Sequence, residues 1–541
     1  MADRSNTAVN ACAGCKKYKR KCNKALPSCS TCSRLRRECS YPIPDPTRPT
    51  PEEEITQLRA RVENLEELVS RKIPANETHS TSPASPFHES NATTVRRELF
   101  SDLLFLDQRS FAHLHCKVQP VRLPVPDDFL KALDDEYSQP RGFEHLMYRY
   151  FDAVHGWMPI ISKARVKRVL DSAASEMQAE IAFLFSCMKL LLWRPQTGSP
   201  PEDLPLYRIV KEINVQLEMA GLQSLPVIQG GILTAVYELG HGIYPACYMT
   251  VAQCARQAIS LGVHNREAPH FLQPWADWEE EIRTWWFIVM LDRHVTVGRE
   301  LRPLCTEDPK KHTPLPADTE AWDDGSMIFP ERLYMSSPTT AVTSPYARLA
   351  QAYNLMGRVI RHCDDEDQHL TFILEEMGTL HHAISALLDL VAHEKPEDSY
   401  VVKAVCFSSL MKLHKNFLYN SFHQRFSDKA DPQLASRIRS YNETSLNTMR
   451  DTSLETLNLA QSLGRYISVS GIEKLSPLVL HCLYRAAFWL SYLARSKQED
   501  VFVIGRQVLD RVLKTLSVRW KVASTYLEIL ETVYREGGGN Y

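Results

Sequence analysis

Six cysteines within twenty-eight residues constrain this chain more than any other feature. They read Cys12-Ala-Gly-Cys15, then Cys22, then Cys29-Ser-Thr-Cys32, then Cys39, a C-x2-C-x6-C pattern written twice with six residues between the copies. Thiolates two residues apart can reach one metal, and all-sulfur ligation at short spacing suits zinc in a tetrahedral site. Each half carries three sulfurs, so neither closes a four-coordinate site alone. Two Zn²⁺ ions per chain need eight ligand positions, and six thiolates supply eight if two of them bridge both metals. The symmetric choice of bridges is the first cysteine of each half, Cys12 and Cys29. Finger, RING and LIM patterns fit poorly because they normally use histidine, and the first histidine here is His79. A disulfide framework is the competing reading. It is disfavoured because residues 1–10 hold no apolar stretch of the kind a secretion signal needs.

The residues between the cysteines carry a second signal. Lys16, Lys17, Lys19, Arg20 and Lys21 fill five of the six positions between Cys15 and Cys22, with Tyr18 as the sixth, and Arg34, Arg36 and Arg37 occupy the matching interval of the second half. Residues 1–41 carry a formal charge of +8, or +6 once six thiolates and two zinc ions are counted. The whole chain is −2, which leaves −10 for residues 42–541. A confined basic end on an otherwise acidic protein points to a polyanion, and double-stranded DNA is the expected partner. The same run can also serve nuclear import.

The stretch resembles the fungal zinc binuclear cluster family of transcription factors. The resemblance rests on all six cysteines, the basic run after Cys15, and Pro27 two residues before the fourth cysteine. It implies that each half forms a short helix and an extended arm wrapped on the metals. It also implies that the first helix enters the major groove at a CGG-like triplet. The family's base-contacting lysine corresponds to Lys19, whose amine can donate to guanine O6 and N7 while Lys16, Lys17, Arg20 and Lys21 mostly meet phosphate. Tyr18 departs from the family's usual Arg or Lys, though its hydroxyl can still donate to phosphate.

Behind the cysteines, Pro42, Pro44, Pro46, Pro49 and Pro51 make residues 42–51 an extended spacer. At ~3.1 Å per residue, residues 40–51 reach roughly 35 Å. Residues 52–72 then place Ile55, Leu58, Val62, Leu65 and Val69 at steps of three and four. β-Branched residues at a and Leu at d predict a parallel two-stranded coiled coil, and hence a homodimer. The competing reading is a lone amphipathic helix packed on the larger domain, because little more than two heptads is marginal for an isolated coil. Residues 73–95 combine Pro74, Pro83 and Pro86 with Ser, Thr, Asn and His and lack periodicity, which predicts a flexible linker.

From residue 96 to 541 the pattern is helical almost throughout. Clear runs are Leu370, Ile373, Leu374, Met377, Leu380, Ile384, Leu387, Leu388 and Val391, and later Val501, Ile504, Val508, Leu509, Val512, Leu513 and Leu516. The fold class expected is therefore a small zinc cluster module, a short coiled coil and a large all-α regulatory domain. Parts of that domain also resemble the middle homology region that follows the zinc cluster in the same family, over about 140–330. They are Tyr237-Glu-Leu-Gly-His-Gly-Ile-Tyr-Pro-Ala running on to His264, and Glu281-Ile-Arg-Thr-Trp-Trp286 through Asp292-Arg293 to Leu315-Pro316. His155-Gly-Trp157-Met-Pro-Ile is a weaker third part. The stretch from Arg299 to His312 departs from the family's acidic run.

Asp292, Arg293 and His294, with His241 and His264, offer acid and base side chains. Yet there is no nucleotide-binding glycine loop after a strand, no HExxH and no GxSxG. No catalytic residues are assigned, and Asp292 and Arg293 are expected to pair in the core near Trp285 and Trp286. No uncharged apolar run reaches the ~18–20 residues of a membrane span. The reading is a nuclear, sequence-specific regulator of RNA polymerase II transcription, controlling a metabolic or secondary-metabolite gene set, with a small-molecule effector or co-regulator acting on the helical domain. The alternative is a zinc-module scaffold or adaptor without sequence-specific DNA binding.

Overall fold

Apolar residues recurring at steps of three and four build helices, and helices supply nearly all the regular structure among the described residues. The computed structural model describes residues 8, 10–17, 20–41, 131, 133, 141–172, 177–196, 199–265, 275–298, 302–325, 331–338, 341–365, 369–419, 432–497 and 499–535. They belong to two units, Met1–Thr93 and Thr94–Tyr541. The heptad positions Ile55, Leu58, Val62, Leu65 and Val69 lie outside the described residues, as do Tyr18 and Lys19.

Among its described residues the first unit holds two five-residue helices, α1 (Ala13–Lys17) and α2 (Ser30–Arg34). The regular structure described in the second is helical. In order come α3 (Gly142–Val154), α4 (Lys163–Ser172), α5 (Ala179–Leu191), α6 (Pro205–Met219), α7 (Leu225–His241), α8 (Ala246–Ser260), α9 (Trp275–Thr296) and the short α10 (Thr319–Asp323). Then follow α11 (Pro345–Asp364), α12 (Leu370–Val391), α13 (Pro396–Tyr419), α14 (Pro432–Ser470), α15 (Leu480–Lys497), α16 (Asp500–Leu516) and α17 (Val522–Arg535). Among the described residues the only β pairing in this unit is an isolated bridge between Pro314 and Tyr334.

Burial follows the apolar pattern. Helix α7 is apolar on nearly every side and is buried almost end to end, from Pro226 in its first turn to His241 in its last. It stops at Gly242, whose φ of 71° lies in the left-handed region that ends many helices. A Cβ at Gly240 would run into the Trp520 ring, so glycine is what lets that indole lie against the helix. α7 packs on α5 and α8, while α13 packs on α11 and α14. At 39 residues α14 is a rod about 58 Å long, against which α13, α15 and α16 lie.

Helix α9 brings charge into this core. Arg283 has no exposed surface, and its Nε donates to Glu279 Oε1 at 2.8 Å. Its other nitrogens donate to the Ala317 carbonyl at 2.8 Å and to Thr319 Oγ1 at 3.1 Å, and its guanidinium lies 4.3 Å from the Trp322 ring centre. The pair thus ties α9 to the segment leading into α10.

The buried Asp292–Arg293 ion pair expected from sequence is present but long, and the shorter contacts of both side chains go elsewhere. Both are buried, but their nearest charged atoms are 3.8 Å apart. Asp292 instead accepts from the Thr306 amide at 2.9 Å and the Thr306 hydroxyl at 2.7 Å. Arg293 donates to the same hydroxyl at 2.6 Å and to Asp308 at 3.0 Å. Neighbours on a helix point about 100° apart, so each reaches a different part of the loop after α9. Trp285 and Trp286 lie nearly two turns earlier. Trp286 donates to the Pro314 carbonyl at 2.9 Å.

Candidate metal centre and nucleic-acid interface

In the first unit sulfur takes the place of a hydrocarbon core. Cys12, Cys15, Cys29 and Cys32 are the buried residues among those described there, and their sulfurs all lie within 4.8 Å of one another. Cys12 Sγ is 3.7 Å from Cys29 Sγ and 3.6 Å from Cys32 Sγ, and Cys15 Sγ is 3.6 Å from Cys29 Sγ. These separations far exceed the ~2.05 Å of a disulfide, and all six cysteines are free. Cys22 and Cys39 are half-buried and pack against the four. Cys12 and Cys29, the first cysteine of each half, therefore each touch two other sulfurs.

Backbone amides aim at the sulfurs. The Cys15 amide donates to Cys12 Sγ at 3.4 Å, the Cys32 amide to Cys29 Sγ at 3.3 Å, and the Cys29 amide to Cys39 Sγ at 3.3 Å. Cys29 thereby also caps the N-terminus of α2. The Cys12 amide holds the Cys22 thiol down at about 6, and the Cys29 amide holds Cys39 down at about 7. Burial pushes Cys15 up to about 12. Closely packed sulfurs resist becoming thiolates together unless a cation neutralises them, and soft thiolates select a soft or borderline ion. This donor set fits zinc, and loading it must release protons.

Side chains outside the cysteines hold the two halves together. Asn23 Oδ1 accepts from the Ser30 amide at 2.9 Å, and Thr31 Oγ1 donates to the Lys21 carbonyl at 3.0 Å. Tyr41 packs on the sulfur core and donates to the Ala25 carbonyl at 2.8 Å. Sequence reasoning passed over these residues. Their signal was position alone, a lone Asn between the halves and a lone aromatic just past the last cysteine.

The basic residues surround the sulfurs on the outside. Lys16 and Lys17 end α1, Arg20 and Lys21 follow it, and all four are exposed, as are Arg34, Arg36 and Arg37 around the end of α2. Helix α1 stops at Lys17, and the Arg20 amide donates to the Cys15 carbonyl at 2.9 Å.

Of the acid and base side chains singled out in the large unit, His241, His264, Asp292 and Arg293 are engaged in packing and loop contacts. His241 is packed among Tyr237, Trp193 and Trp520, and burial holds it down at about 3. His264 lies edge-on to Trp285, while Asp292 and Arg293 bind the loop after α9. No helix among the described residues is long and apolar enough to cross a membrane.

Comparison with known proteins agrees with this geometry. Residues 10–48 match the fungal Zn(2)-Cys(6) binuclear cluster domain, and residues 147–389 match the fungal specific transcription factor domain. Transcription factor BOA15 of Botryotinia fuckeliana is 38% identical over 184 residues, which cover 33% of this chain and 97% of that protein. The pigment biosynthesis transcriptional activator pigB of Monascus ruber is 24% identical over 509 residues, 87% of this chain and 86% of pigB. Transcription factor tazR of Aspergillus terreus is 23% identical over 248 residues, 44% of this chain and 39% of tazR. The chain belongs to the fungal zinc binuclear cluster transcription factors, a family that binds two zinc ions through its six cysteines and is not one of enzymes.

Proposed function

We propose that this protein is a nuclear, sequence-specific DNA-binding regulator of RNA polymerase II transcription, reading CGG-like triplets with its zinc cluster as a homodimer. The observation that carries the reading is the exposed basic run Lys16, Lys17, Arg20 and Lys21 on a unit whose interior is sulfur. All six cysteines are ligands, with Cys12 and Cys29 bridging. Lys19 donates to guanine, Tyr18 to phosphate, and the remaining basic residues of the run neutralise phosphates. Residues 1–41 form the DNA-binding module, 42–51 a spacer, 52–72 the coil through Ile55, Leu58, Val62, Leu65 and Val69, 73–95 a linker, and 96–541 the regulatory domain. Its targets are a metabolic or secondary-metabolite gene set, supported by the likeness to a pigment biosynthesis activator over 87% of the chain. An effector or co-regulator acts on the helical domain.

One cluster touches about three base pairs, too few to address a genome, so paired half-sites are required. The test is selection of random duplexes by the full-length protein, with Leu58 and Leu65 both replaced by Asp in a second sample. The parent should enrich two CGG-like triplets at a preferred spacing. The double variant should keep weak single-triplet binding. No enriched sequence from the parent would leave an adaptor as the better reading, and undiminished paired-site binding by the variant would remove the coil.

A further inference from the structure

The two halves of the cysteine unit repeat at an interval of seventeen residues. Cys12, Cys15 and Cys22 correspond to Cys29, Cys32 and Cys39, and by the same count Lys19 corresponds to Arg36. The backbone repeats as well. The Cys15 amide on Cys12 Sγ at 3.4 Å matches the Cys32 amide on Cys29 Sγ at 3.3 Å. The Arg20 amide on the Cys15 carbonyl at 2.9 Å matches the Arg37 amide on the Cys32 carbonyl at 3.0 Å.

Arg36 stands where α2 ends. Its amide donates to the Ser33 carbonyl at 3.1 Å, and with the Arg37 bond this makes the two-bond termination that closes many helices on a left-handed residue, usually glycine. Arg36 takes that conformation, with a φ of 48°, although a Cβ makes it costly. Its side chain is exposed, so core packing does not account for an arginine there. Strain kept at such a position points to a use for the side chain.

The surroundings fit a nucleic-acid backbone. Arg34 is exposed as well, and Thr31 Oγ1 donates to the Lys21 carbonyl at 3.0 Å, which ties α2 to the end of the basic run. Between Cys32 and Cys39 stand three arginines and one acid, Glu38, against five cations and no acid between Cys15 and Cys22. The first half is therefore the stronger candidate for the groove itself. A globule of about forty residues has a radius of gyration of ~9 Å, so it is wider than the ~12 Å major groove and rests on the strands that border it.

We propose that Arg36 is a second DNA contact of this protein, binding a backbone phosphate beside the triplet that the first half reads. This contact presupposes the DNA binding proposed above and extends it to the other half of the cluster. A guanidinium offers a phosphate two parallel donors, which an ammonium does not. Because a phosphate contact carries no sequence information, Arg36 sets affinity and orientation and leaves the choice of triplet to the first half.

The test is Arg36→Gly in the full-length protein, with fluorescence anisotropy across a salt series on a paired-triplet duplex and on a scrambled one. Glycine suits the left-handed position, so the variant should hold its zinc against a chelator at least as well as the parent. Its DNA binding should nonetheless fall several-fold, equally on both duplexes, and the slope of log affinity against log salt should drop by about 0.9 per bound chain. Arg36→Lys should keep the slope and lose less affinity. Unchanged affinity and slope in Arg36→Gly overturn the proposal, and so does a loss confined to the paired-triplet duplex, which would make Arg36 a base reader. Easier zinc loss from Arg36→Gly also overturns it, because the arginine then acts on the fold. A parent that binds neither duplex defeats the transcriptional reading and this contact with it, whereas parent binding that Arg36→Gly leaves untouched defeats this contact alone.

Discussion

The two units solve the problem of an interior in opposite ways. Among the described residues the cysteine unit buries four sulfurs and little else, and the large unit buries over a hundred residues that include whole ion pairs and neutral histidines. A domain of about forty residues cannot bury enough apolar surface to fold by the hydrophobic effect, so ligation has to replace it. The large unit has the opposite freedom. Its apolar core is sufficient to carry costly polar groups, and these set which helix packs on which loop. Stability in the first unit therefore depends on a metal, and in the second on keeping charges paired.

The sharpest way to break this comparison is to remove the metal. Zinc binding is folding free energy in such modules, on the order of 10 kcal/mol. Chelation should abolish DNA binding completely while the far-ultraviolet circular dichroism, dominated by α3–α17, hardly changes. Cys29→Ser should be worse than Cys39→Ser if Cys29 serves both ions. Specific DNA binding that survives chelation would mean the cysteine unit has a core of another kind.

Acid should strain both units, for different reasons. His241 and His414 are held near 3 and His294 near 4 by burial, against an ordinary 6.5. The unfolded chain then binds more protons than the folded one below pH 6.5, so stability is full above that pH and falls as pH drops towards 4. Each imidazole contributes a loss of about 1.4 kcal/mol per pH unit, and three together roughly 6 kcal/mol by pH 5. Urea unfolding of the large unit followed by tryptophan fluorescence at pH 7.5 and 5 checks this. A flat profile would place these imidazoles in water.

Next in size is the Glu279–Arg283 pair. Glu279→Ala leaves a guanidinium with no exposed surface uncompensated, which should cost about 3–5 kcal/mol. Glu279→Gln should lose less, because its amide oxygen can still accept from Arg283 and from the Ala317 amide that lies 2.7 Å from the carboxylate. Melting temperatures of the two variants in parallel separate lost charge from lost hydrogen bonding, and equal temperatures for both would show that charge pairing does not matter there.

How much of this was legible depended on what each residue answers to. Helix α12 was readable residue by residue, since Leu370, Ile373, Leu374, Met377, Leu380, Ile384, Leu387 and Val391 all face the core. Helix α16 was readable only in its second half. Val501 and Ile504, counted on the apolar stripe, are 48% and 59% exposed, whereas Phe502 and Gly505 are buried. Gly505 sits where Leu490 and Leu457 press close, and Arg506 donates to Asp510 at 2.7 Å and Ser491 at 2.6 Å. Partners elsewhere in the chain chose the face, and a glycine carries no hydrophobic signal. The same holds for Asp292, whose partners Cys305 and Thr306 lie in a loop that periodicity does not register. The six cysteines were legible because ligand spacing is a local property. The amide and side-chain bonds that orient them are set by the folded turn.

The smallest predicted effects lie on the outside of the cysteine unit. Lys19→Ala should cost about 1–3 kcal/mol on a CGG-like site and flatten preference at one base pair, because a guanine edge loses its donor. Lys16→Ala should cost less, and by the same amount on specific and random duplexes, since a phosphate contact carries no sequence information. The two differ most clearly in salt dependence. Losing one phosphate contact should lower the slope of log affinity against log salt by roughly 1, whereas losing a base contact should leave it nearly unchanged. Fluorescence anisotropy across a salt series, on a paired site and on a scrambled duplex, reads both quantities from one set of titrations. If Lys19→Ala weakens both duplexes equally and shifts the slope as Lys16→Ala does, Lys19 is a phosphate contact and base reading belongs to another residue of the run. Equal losses with unchanged slopes for both variants would instead remove the basic run from the interface.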